Sequence, residues 1–222
     1  MNCLVTAGPT YEPLDDVRRL TNFSTGRLGC ELAAYLTAQG HMVTLLLGEQ
    51  ATWPGERRAA RVESFGATAD LRHRLAALAS SEVDAVFHAA AVSDFQFGTV
   101  WQRAADGTLT EVRAKKIPTR SDGLLVELRP TEKIILRLRE WFPRARLVGW
   151  KYEMDGSRDE AIARAVRQIQ ESRSDACVAN GKAYGAGFGL VTPDGACVHL
   201  EDKAGLFLAL TAWVEKRPVG SR

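Results

Sequence analysis

Residues 1–91 alternate short apolar runs with segments whose apolar residues recur at helical spacing, and this alternation restricts the fold more than any other feature. Apolar runs bounded by turn residues predict buried strands, whereas leucines three and four positions apart predict amphipathic helices. Strands that alternate with helices form a parallel sheet with helices on both faces, so the sequence predicts an α/β fold. The predicted strands are 3–7, 42–47, 61–65 and 85–91, and the predicted helices are 27–39 and 69–80.

The pattern changes after residue 94. Short β-like pieces at 109–113 and 124–128 flank Lys115 and Lys116, so residues 95–129 are predicted to form an antiparallel hairpin or arm. Residues 10–22 are polar and mixed, which predicts a loop or a short helical turn. One domain is expected over residues 1–215, with a disordered tail at 216–222. The other predicted elements are helices 131–141, 159–172 and 206–214, strands 147–150 and 176–179, and a hairpin of 190–191 with 197–200.

Composition argues against several classes of protein. The net charge of +2 and the pI of about 8.4 are too small for a nucleic-acid partner, which would require a clustered basic face. The chain has no apolar stretch of about 18 residues, so we expect no transmembrane helix and no membrane partner. The four cysteines form no C-x-x-C pair and no zinc spacing, which indicates reduced, buried thiols in a cytoplasmic protein.

Polar or small residues follow the predicted strands at four places. Ligands of an open parallel sheet bind beyond the carboxyl ends of the strands, where the strand order reverses. Any doubly wound fold shows such clustering, so it predicts the place of a ligand site but not its chemistry. The four segments are Gly8-Pro9-Thr10, Ser93-Asp94, Gly149-Trp150-Lys151 and Asn180-Gly181.

The loop Ser24-Thr25-Gly26 opens a predicted helix and is the most informative of the candidate sites. Free backbone N–H groups and the positive end of the helix dipole suit an anion such as phosphate, and two hydroxyl groups can add donors. The alternative is an ordinary helix N-cap followed by close packing of the helix on the sheet at Gly29. The residues alone do not separate these interpretations.

Three further positions each allow two interpretations. The Asp94 carboxylate, after three alanines, can accept hydrogen bonds from a sugar hydroxyl or a base, or it can cap a helix. Lys115 and Lys116 can be solvated charges at a sheet edge or cations that a mobile arm brings to phosphates. His88 lies within an apolar strand, where a satisfied core histidine is favoured over a catalytic one.

Taken together, the sequence motifs match those of one known protein family. The N-terminal stretch VTAGPTYEPLDDVRRLTNFSTGRLG is followed in order by AAAVSDF, KIP, LRPTEKIIL, VGWKYE and VANG. Over about residues 2–210 the chain thereby resembles the phosphopantothenoylcysteine synthetase family, the ligase half of a bacterial bifunctional coenzyme A enzyme. The resemblance implies a Rossmann-like three-layer sandwich, related to ribokinase-type sheets. It also implies a β arm that is used in dimerisation, so a homodimer is expected.

The resemblance also implies a reaction in two halves. The carboxylate of 4'-phosphopantothenate attacks the α-phosphorus of a nucleotide triphosphate, CTP or ATP, and the amine of cysteine then attacks the acyl-nucleotide intermediate. Mg²⁺ is implied because a triphosphate needs its charge neutralised before a carboxylate attacks it. The flavin-dependent decarboxylase half has no counterpart in this sequence, so no flavin is expected and a separate decarboxylase would act downstream.

The family's site residues carry over onto matching positions. Asn22 matches an asparagine that steadies the activated carboxylate, and Lys116 matches a lysine of a flexible flap that counters developing charge. The loop from Ser24 through Thr25 to Gly26 would hold the phosphate of the substrate, and no residue is assigned as a metal ligand. The positions implied for nucleotide binding are Gly8, Pro9, Thr10, Ala89, Ala90, Ala91, Asp94, Gly149, Trp150, Lys151 and Asn180.

Some positions depart from the family pattern. Trp150 replaces the usual phenylalanine, and Gln168 and Ser172 align with two lysines that face the triphosphate in the family. This departure motivates one alternative, a diverged paralogue that binds a nucleotide or a pantothenate derivative without ligation. A second alternative is a nicotinamide-dependent Rossmann oxidoreductase. The missing G-x-G-x-x-G counts against it, although Glu49 follows the second strand, where an acid that binds ribose could lie.

Overall fold

The computed structural model describes residues 1–117 and 123–216. Within these ranges the helices are α1 (Arg27–Ala38), α2 (Thr68–Ala77), α3 (Leu138–Trp141), α4 (Arg158–Ser172) and α5 (Lys203–Glu215), with 3₁₀ turns at Leu78–Ser80 and Ile134–Leu136. The strands are β1 (Asn2–Ala7), β2 (Tyr11–Pro13), β3 (Arg19–Thr21), β4 (Met42–Gly48), β5 (Arg61–Phe65), β6 (Ala85–His88), β7 (Phe95–Arg103), β8 (Leu109–Glu111), β9 (Gly123–Pro130), β10 (Arg146–Tyr152), β11 (Ala176–Asn180), β12 (Phe188–Val191) and β13 (Cys197–Leu200).

Eight strands form one central sheet in the order β13-β12-β11-β10-β6-β1-β4-β5. The six strands from β11 to β5 are parallel, whereas β12 and β13 add an antiparallel edge. This mainly parallel sheet confirms the predicted α/β, Rossmann-like fold. The antiparallel edge follows from the short connections at residues 181–187 and 192–196, which are too short for a helical crossover.

Helices cover both faces of the sheet. Successive residues of a strand point to opposite faces, so Val5 packs against α1 and α5 while Leu4 packs against α2 and α3. A third cluster joins Ala165 and Ile169 of α4 to Cys177 of β11. Because both faces are covered, the central strands need apolar residues at every position, which explains their unbroken apolar runs.

Three local predictions were wrong. Residues 10–22 contain the antiparallel hairpin β2–β3 rather than a loop or helical turn. The strand predicted at 85–91 ends at His88, because Ala91 bridges Pro9 and Thr10 beyond the sheet edge. The helix predicted at 131–141 contains only a 3₁₀ turn and α3, because Thr131 is held by backbone groups of the preceding loop at Ser93 and Asp94.

The excursion after residue 94 is a three-stranded antiparallel sheet in the order β8-β7-β9, hereafter the arm. This confirms an antiparallel arm, but the nine-residue strand β7 was missed. Its sequence, FQFGTVWQR, lacks a continuous apolar run, contains Gly98 and has an irregular register between Phe97 and Val100. Residues 118–122, which connect toward β9, lie outside the described ranges.

Most of the predicted tail also lies outside the description, which stops at Lys216; residues 217–222 are not covered. The carbonyl oxygen of Lys216 accepts a hydrogen bond of 2.8 Å from Arg146 Nη2. In the parts of the chain that are described, no helix combines the length and the hydropathy that crossing a bilayer requires.

Candidate active site

The strand order places a crevice between β1 and β6. From β1 the chain moves to β4 and β5 on one side and then returns to β6 on the other side, so the connections that leave β1 and β6 diverge. These connections are joined by two backbone hydrogen bonds, from Ala91 N to Gly8 O (3.0 Å) and from Thr10 N to Ala91 O (3.1 Å). The predicted segments Gly8–Thr10 and Ala89–Ala91 therefore lie together at the switch point.

The Ser24–Gly26 loop ends at the N-terminus of α1. Gly26 is the N-cap residue with a φ of 78° and offers no side-chain cap, while the Thr25 hydroxyl accepts a 3.3 Å hydrogen bond from Arg27 N. Among the described residues, the next two N–H groups of the first turn, those of Leu28 and Gly29, have no partner and suit an anion. A β-carbon on Gly29 would lie 2.5 Å from the β-carbon of Ala7, so the close packing of helix on sheet is also present. The two interpretations of this sequence are compatible.

The loop lines a cleft of about 280 Å³. On the opposite side lie Ala89, beyond β6, and Asn180, at the end of β11. The cleft thus joins residues predicted to hold the substrate's phosphate with residues predicted to bind the nucleotide. Its lining consists of Ser24, Thr25, Gly26, Arg27, Leu28, Gly29, Ala89, Asn180, Phe188 and Lys203.

Two cations at this cleft were missed by the sequence analysis. Glu31 of α1 pairs with Arg27 (Nε to Oε1, 2.8 Å) and, through its other oxygen, with Lys203 at the start of α5. The Arg27 guanidinium also lies 4.6 Å from the ring centroid of Trp53. Burial acts to raise the pKa of Glu31, but hydrogen bonds from Lys203 and Arg27 outweigh it and lower that pKa. These three side chains carry a net charge of +1, which favours an anionic ligand.

Two buried polar atoms lie at the carboxyl ends of neighbouring strands. Within residues 1–117 and 123–216, the indole nitrogen of Trp150 and the amide oxygen of Asn180 have no hydrogen-bond partner. Trp150 packs on the core cluster that includes Val148 and Val178, on the same face of the sheet as Phe188. Buried polar atoms are rarely left unpaired, so these two are candidates for contact with a bound molecule.

Asn22 and Asp94 lie close to the connection after β6, and both side chains are exposed. The Asn22 amide donates a 3.2 Å hydrogen bond to the carbonyl oxygen of Ala91. Asp94 forms an ion pair with Lys133, and its side chain remains 65% exposed. Sequence analysis did not identify Lys133, whose position 39 residues further on gave no local signal.

Other predicted nucleotide residues use their polar groups inside the protein. The Thr10 hydroxyl is fully buried and accepts hydrogen bonds from Ser93 N (2.8 Å) and from the Thr68 hydroxyl (3.2 Å). Lys151 pairs with Glu153 at 3.3 Å. Thr10 therefore positions the loop, whereas Lys151 shares Glu153 with Arg164, whose Nη1 lies 2.6 Å from the other carboxylate oxygen. Pro9 is buried beside Thr10.

The two positions aligned with family lysines face the interior. The Gln168 amide donates to Trp150 O and Cys177 Sγ, both at 3.3 Å, and it would lie 2.6 Å from a β-carbon on Gly149. Ser172 is fully buried and donates to Gln168 O at 2.6 Å. These side chains pack α4 on the sheet. The cations described at the cleft come instead from Arg27 and Lys203.

His88 is a core histidine, as favoured from the sequence. Its Nδ1 lies 2.8 Å from the Thr6 hydroxyl, which also accepts a hydrogen bond of 3.2 Å from Ala90 N. Burial lowers the pKa of His88 to about 4, so the imidazole is neutral near pH 7. Through the bond to Ala90 N, the Thr6–His88 pair supports the connection that follows β6.

Lys115 and Lys116 are exposed in the connection between β8 and β9 of the arm, and neither lines the cleft. No group of three or more His, Cys, Asp or Glu residues within the described ranges could hold a metal ion. Mg²⁺ accepts phosphate oxygens and water as ligands and needs few protein carboxylates. A metal at this cleft would therefore be held by the phosphates of a ligand and by water rather than by a protein ligand set.

Comparison with known proteins is consistent with this geometry. The family model described as DNA/pantothenate metabolism flavoprotein C-terminal domain matches residues 1–205. A relative from Thermococcus kodakarensis, named coenzyme A biosynthesis bifunctional protein CoaBC, is 35% identical over 184 residues. That alignment covers 82% of this chain and 42% of the relative, so this chain spans less than half of the relative's length.

Two solved structures share the fold. The DNA/pantothenate metabolism flavoprotein from Streptococcus pneumoniae matches with a TM-score of 0.83 and 24% identity, over 97% of this chain and 98% of that protein. A complex of the Cab2 mutant H337A with phosphopantothenate-cysteine matches with a TM-score of 0.71 and 19% identity, over 96% of this chain and 84% of that protein.

Proposed function

This chain belongs to the family of the DNA/pantothenate metabolism flavoprotein C-terminal domain, and from that membership we propose that it is a ligase of coenzyme A biosynthesis. It joins 4'-phosphopantothenate to cysteine in an amide bond. The observation that carries the proposal is the cationic cleft at the switch point, where the first turn of α1 faces Ala89 and Asn180. The name of the Thermococcus relative and the ligand of the Cab2 complex support this choice of pathway and substrate.

The cleft suits the phosphates of a nucleotide. The hydroxyl groups of Ser24 and Thr25 and the N–H groups of Leu28 and Gly29 supply donors, and Arg27 and Lys203 supply positive charge. The sequence analysis assigned the Ser24–Gly26 loop to the phosphate of phosphopantothenate. Its position in one cleft with Asn180 favours the triphosphate of CTP or ATP instead. Mg²⁺ bound to that triphosphate would neutralise further charge.

The reacting carboxylate belongs at the neighbouring connection, beside Asn22 and Ala91. The carboxylate attacks the α-phosphorus, the bond to the bridging oxygen breaks, and pyrophosphate leaves. The cysteine amine then attacks the acyl carbon, the nucleoside monophosphate leaves, and the amine loses a proton to solvent. The Asn22 amide donates to the carboxylate, and the Lys116 ammonium stabilises negative charge that develops during each displacement.

The product retains the carboxyl group of cysteine, so we propose that a decarboxylase acts on it next. A direct test incubates the protein with phosphopantothenate, cysteine, Mg²⁺ and either CTP or ATP. Pyrophosphate release together with a product of the cysteine-adduct mass supports the ligase, and the comparison identifies the nucleotide. Nucleotide binding without pyrophosphate release from the folded protein would favour the non-catalytic paralogue.

The variants Asn22→Ala and Lys116→Ala test the two catalytic assignments. Each is expected to lose at least about 100-fold in turnover, because each removes a group aimed at developing charge. Lys115→Ala, in the same segment, is the matched control and should lose less than about 10-fold. Thermal unfolding of each variant shows that the fold is retained. Turnover close to that of the unmutated protein in either catalytic variant contradicts its assignment.

We also propose a homodimer that forms through the arm and the β2–β3 hairpin. Apolar side chains are exposed on both, and such surfaces favour association with a second copy. Sedimentation velocity of the protein and of a Phe23→Ser variant measures this association. Sedimentation of the unmutated protein as a monomer at micromolar concentration contradicts it. The exposed apolar residues are Val17 and Leu20 of the hairpin, Phe23 just after it, and Phe95, Leu109, Leu125 and Leu128 of the arm.

A further inference from the structure

Asp15 in the turn between β2 and β3 has a carboxylate that is fully shielded from solvent. Its Oδ1 accepts hydrogen bonds from the backbone N–H groups of Val17 (3.0 Å) and Arg18 (2.8 Å). Its Oδ2 accepts two bonds from the Arg18 side chain, at 3.1 and 2.5 Å. The guanidinium of Arg18 holds the pKa of Asp15 well below its usual range, so this group is a carboxylate at neutral pH.

A fifth hydrogen bond joins this turn to the segment that carries Lys116. The backbone N–H of Ile117 donates to Asp15 Oδ2 at 3.0 Å, across 102 residues of sequence. Arg18 Nη2 donates to the carbonyl oxygen of Ile117 at 2.6 Å, and Asp16 N donates to the carbonyl oxygen of Lys115 at 2.9 Å. Backbone groups on both sides of Lys116 are therefore fixed to the hairpin.

The same hairpin leads to Asn22. Strand β3 ends at Thr21, whose hydroxyl donates to Thr10 O at 2.9 Å, and Asn22 follows it. Asp15 thus connects the backbone around Lys116 to the strand that places Asn22. The Lys116 side chain is exposed and takes part in none of these bonds, so the bonds hold its backbone without engaging its ammonium group.

We propose that Asp15 is a positioning residue that holds Lys116 in a fixed relation to Asn22. The inference rests on the proposed function, because both residues act in that reaction. Asp15 itself touches no substrate. Removal of the Asp15 carboxylate should therefore lower the rate of the chemical steps. It should not weaken nucleotide binding at the cleft that Ser24 and Asn180 line.

Asp15→Asn is the diagnostic variant. The amide oxygen can still accept from Val17 and Arg18, but an NH₂ group then faces the Ile117 N–H and the Arg18 guanidinium, so the bond to Ile117 is lost. Asp16→Asn is the matched control, since it makes the same change of charge one residue away on an exposed side chain. In Asp15→Ser the hydroxyl oxygen can still accept hydrogen bonds within the turn, but the side chain is too short to reach Ile117. This variant replaces Asp15→Asn if Asp15→Asn does not fold.

Two measurements test the proposal. Hydrogen exchange of the Ile117 amide should be at least about 10-fold faster in Asp15→Asn than in the unmutated protein or in Asp16→Asn, because its hydrogen bond is gone. The turnover number kcat should fall at least about 10-fold, with KM for the nucleotide changed less than about 3-fold, as expected when only transition-state stabilisation is lost.

The outcomes separate this proposal from the proposed function. Faster exchange with an unchanged kcat, or unchanged exchange in Asp15→Asn, overturns the positioning role while the ligase remains. A rise in KM with unchanged kcat also overturns it, because the residue would then act on nucleotide binding. Failure of the unmutated protein to release pyrophosphate refutes the proposed function, and with it any positioning of that chemistry.

Discussion

Gly29→Ala probes the contact that joins α1 to β1 beneath the Ser24–Gly26 loop. The added β-carbon would lie 2.5 Å from Ala7 Cβ, 3.2 Å from Ala7 Cα and 3.3 Å from Thr6 O. Carbon atoms in contact are ordinarily about 3.5–4.0 Å apart, so α1 has to move from β1 by roughly 1 Å. These atoms belong to the backbone of β1 or are attached directly to it, so none of them can rotate away.

The expected loss of stability follows from two opposing effects. Overpacking of a close-packed interior costs about 1–3 kcal/mol, whereas replacing glycine by alanine in a helix contributes up to about 1 kcal/mol. Because the 2.5 Å contact places the overpacking cost in the upper part of its range, about 2–3 kcal/mol, the net loss is about 1–2 kcal/mol. For a chain of 150–250 residues, each kcal/mol corresponds to about 2–4 °C, so Tm should fall by roughly 2–8 °C.

Thermal unfolding measures the effect, and a second substitution identifies its cause. Ala7→Gly removes the β-carbon that the new methyl group strikes, so the double variant should show a favourable coupling of about 1 kcal/mol or more. Gly123→Ala is the control, because no atom of residues 1–117 or 123–216 lies within 4 Å of its added β-carbon, and it should change stability by less than about 0.5 kcal/mol. An unchanged Tm in Gly29→Ala, or strictly additive effects in the double variant, refutes the reasoning.

Two other predictions concern the cleft and the core. Lys203→Met should raise KM for the nucleotide about 10-fold, since a partly exposed charge near phosphates contributes about 1–2 kcal/mol. The control Lys216→Met should leave KM unchanged. Equal KM values in Lys203→Met and the unmutated protein would exclude Lys203 from the site. Burial lowers the pKa of His88 from 6.5 to about 4, so the unfolded chain gains this proton first as the pH falls. The stabilising contribution of His88 is complete above pH 6.5 and declines by up to about 3 kcal/mol toward pH 4. Urea unfolding from pH 7 to pH 4 should therefore show a smaller loss in His88→Gln, and parallel curves would contradict this.

The central sheet could be predicted because its signals are local. Strands buried on both faces need continuous apolar runs, and the runs at residues 3–7, 42–47 and 85–88 are unmistakable in the sequence. The hairpin β2–β3 could not be predicted in this way. Its Glu12 is buried and accepts a 3.0 Å hydrogen bond from Thr68 N, 56 residues away, so tertiary contact stabilises a strand whose composition is typical of a loop.

Part of the candidate site could likewise be predicted from local sequence, and part depends on tertiary contacts. Loops at strand ends and the small residues before α1 are visible in the sequence, and Ser24–Gly26, Ala89 and Asn180 indeed line one cleft. Lys203 was missed because its partner Glu31 is 172 residues away. The alignment that stressed Gln168 and Ser172 could not indicate that both face the sheet, since helical phase against a sheet depends on packing.

The carboxylate of Glu31 between Arg27 and Lys203 has a consequence for turnover. An anion that binds Arg27 or Lys203 competes with Glu31, which pairs with both cations. Glu31 is thus a built-in competitor that is always present at high local concentration. Such a competitor weakens the binding of any anion that uses these cations, and in the proposed reaction it would speed the release of pyrophosphate.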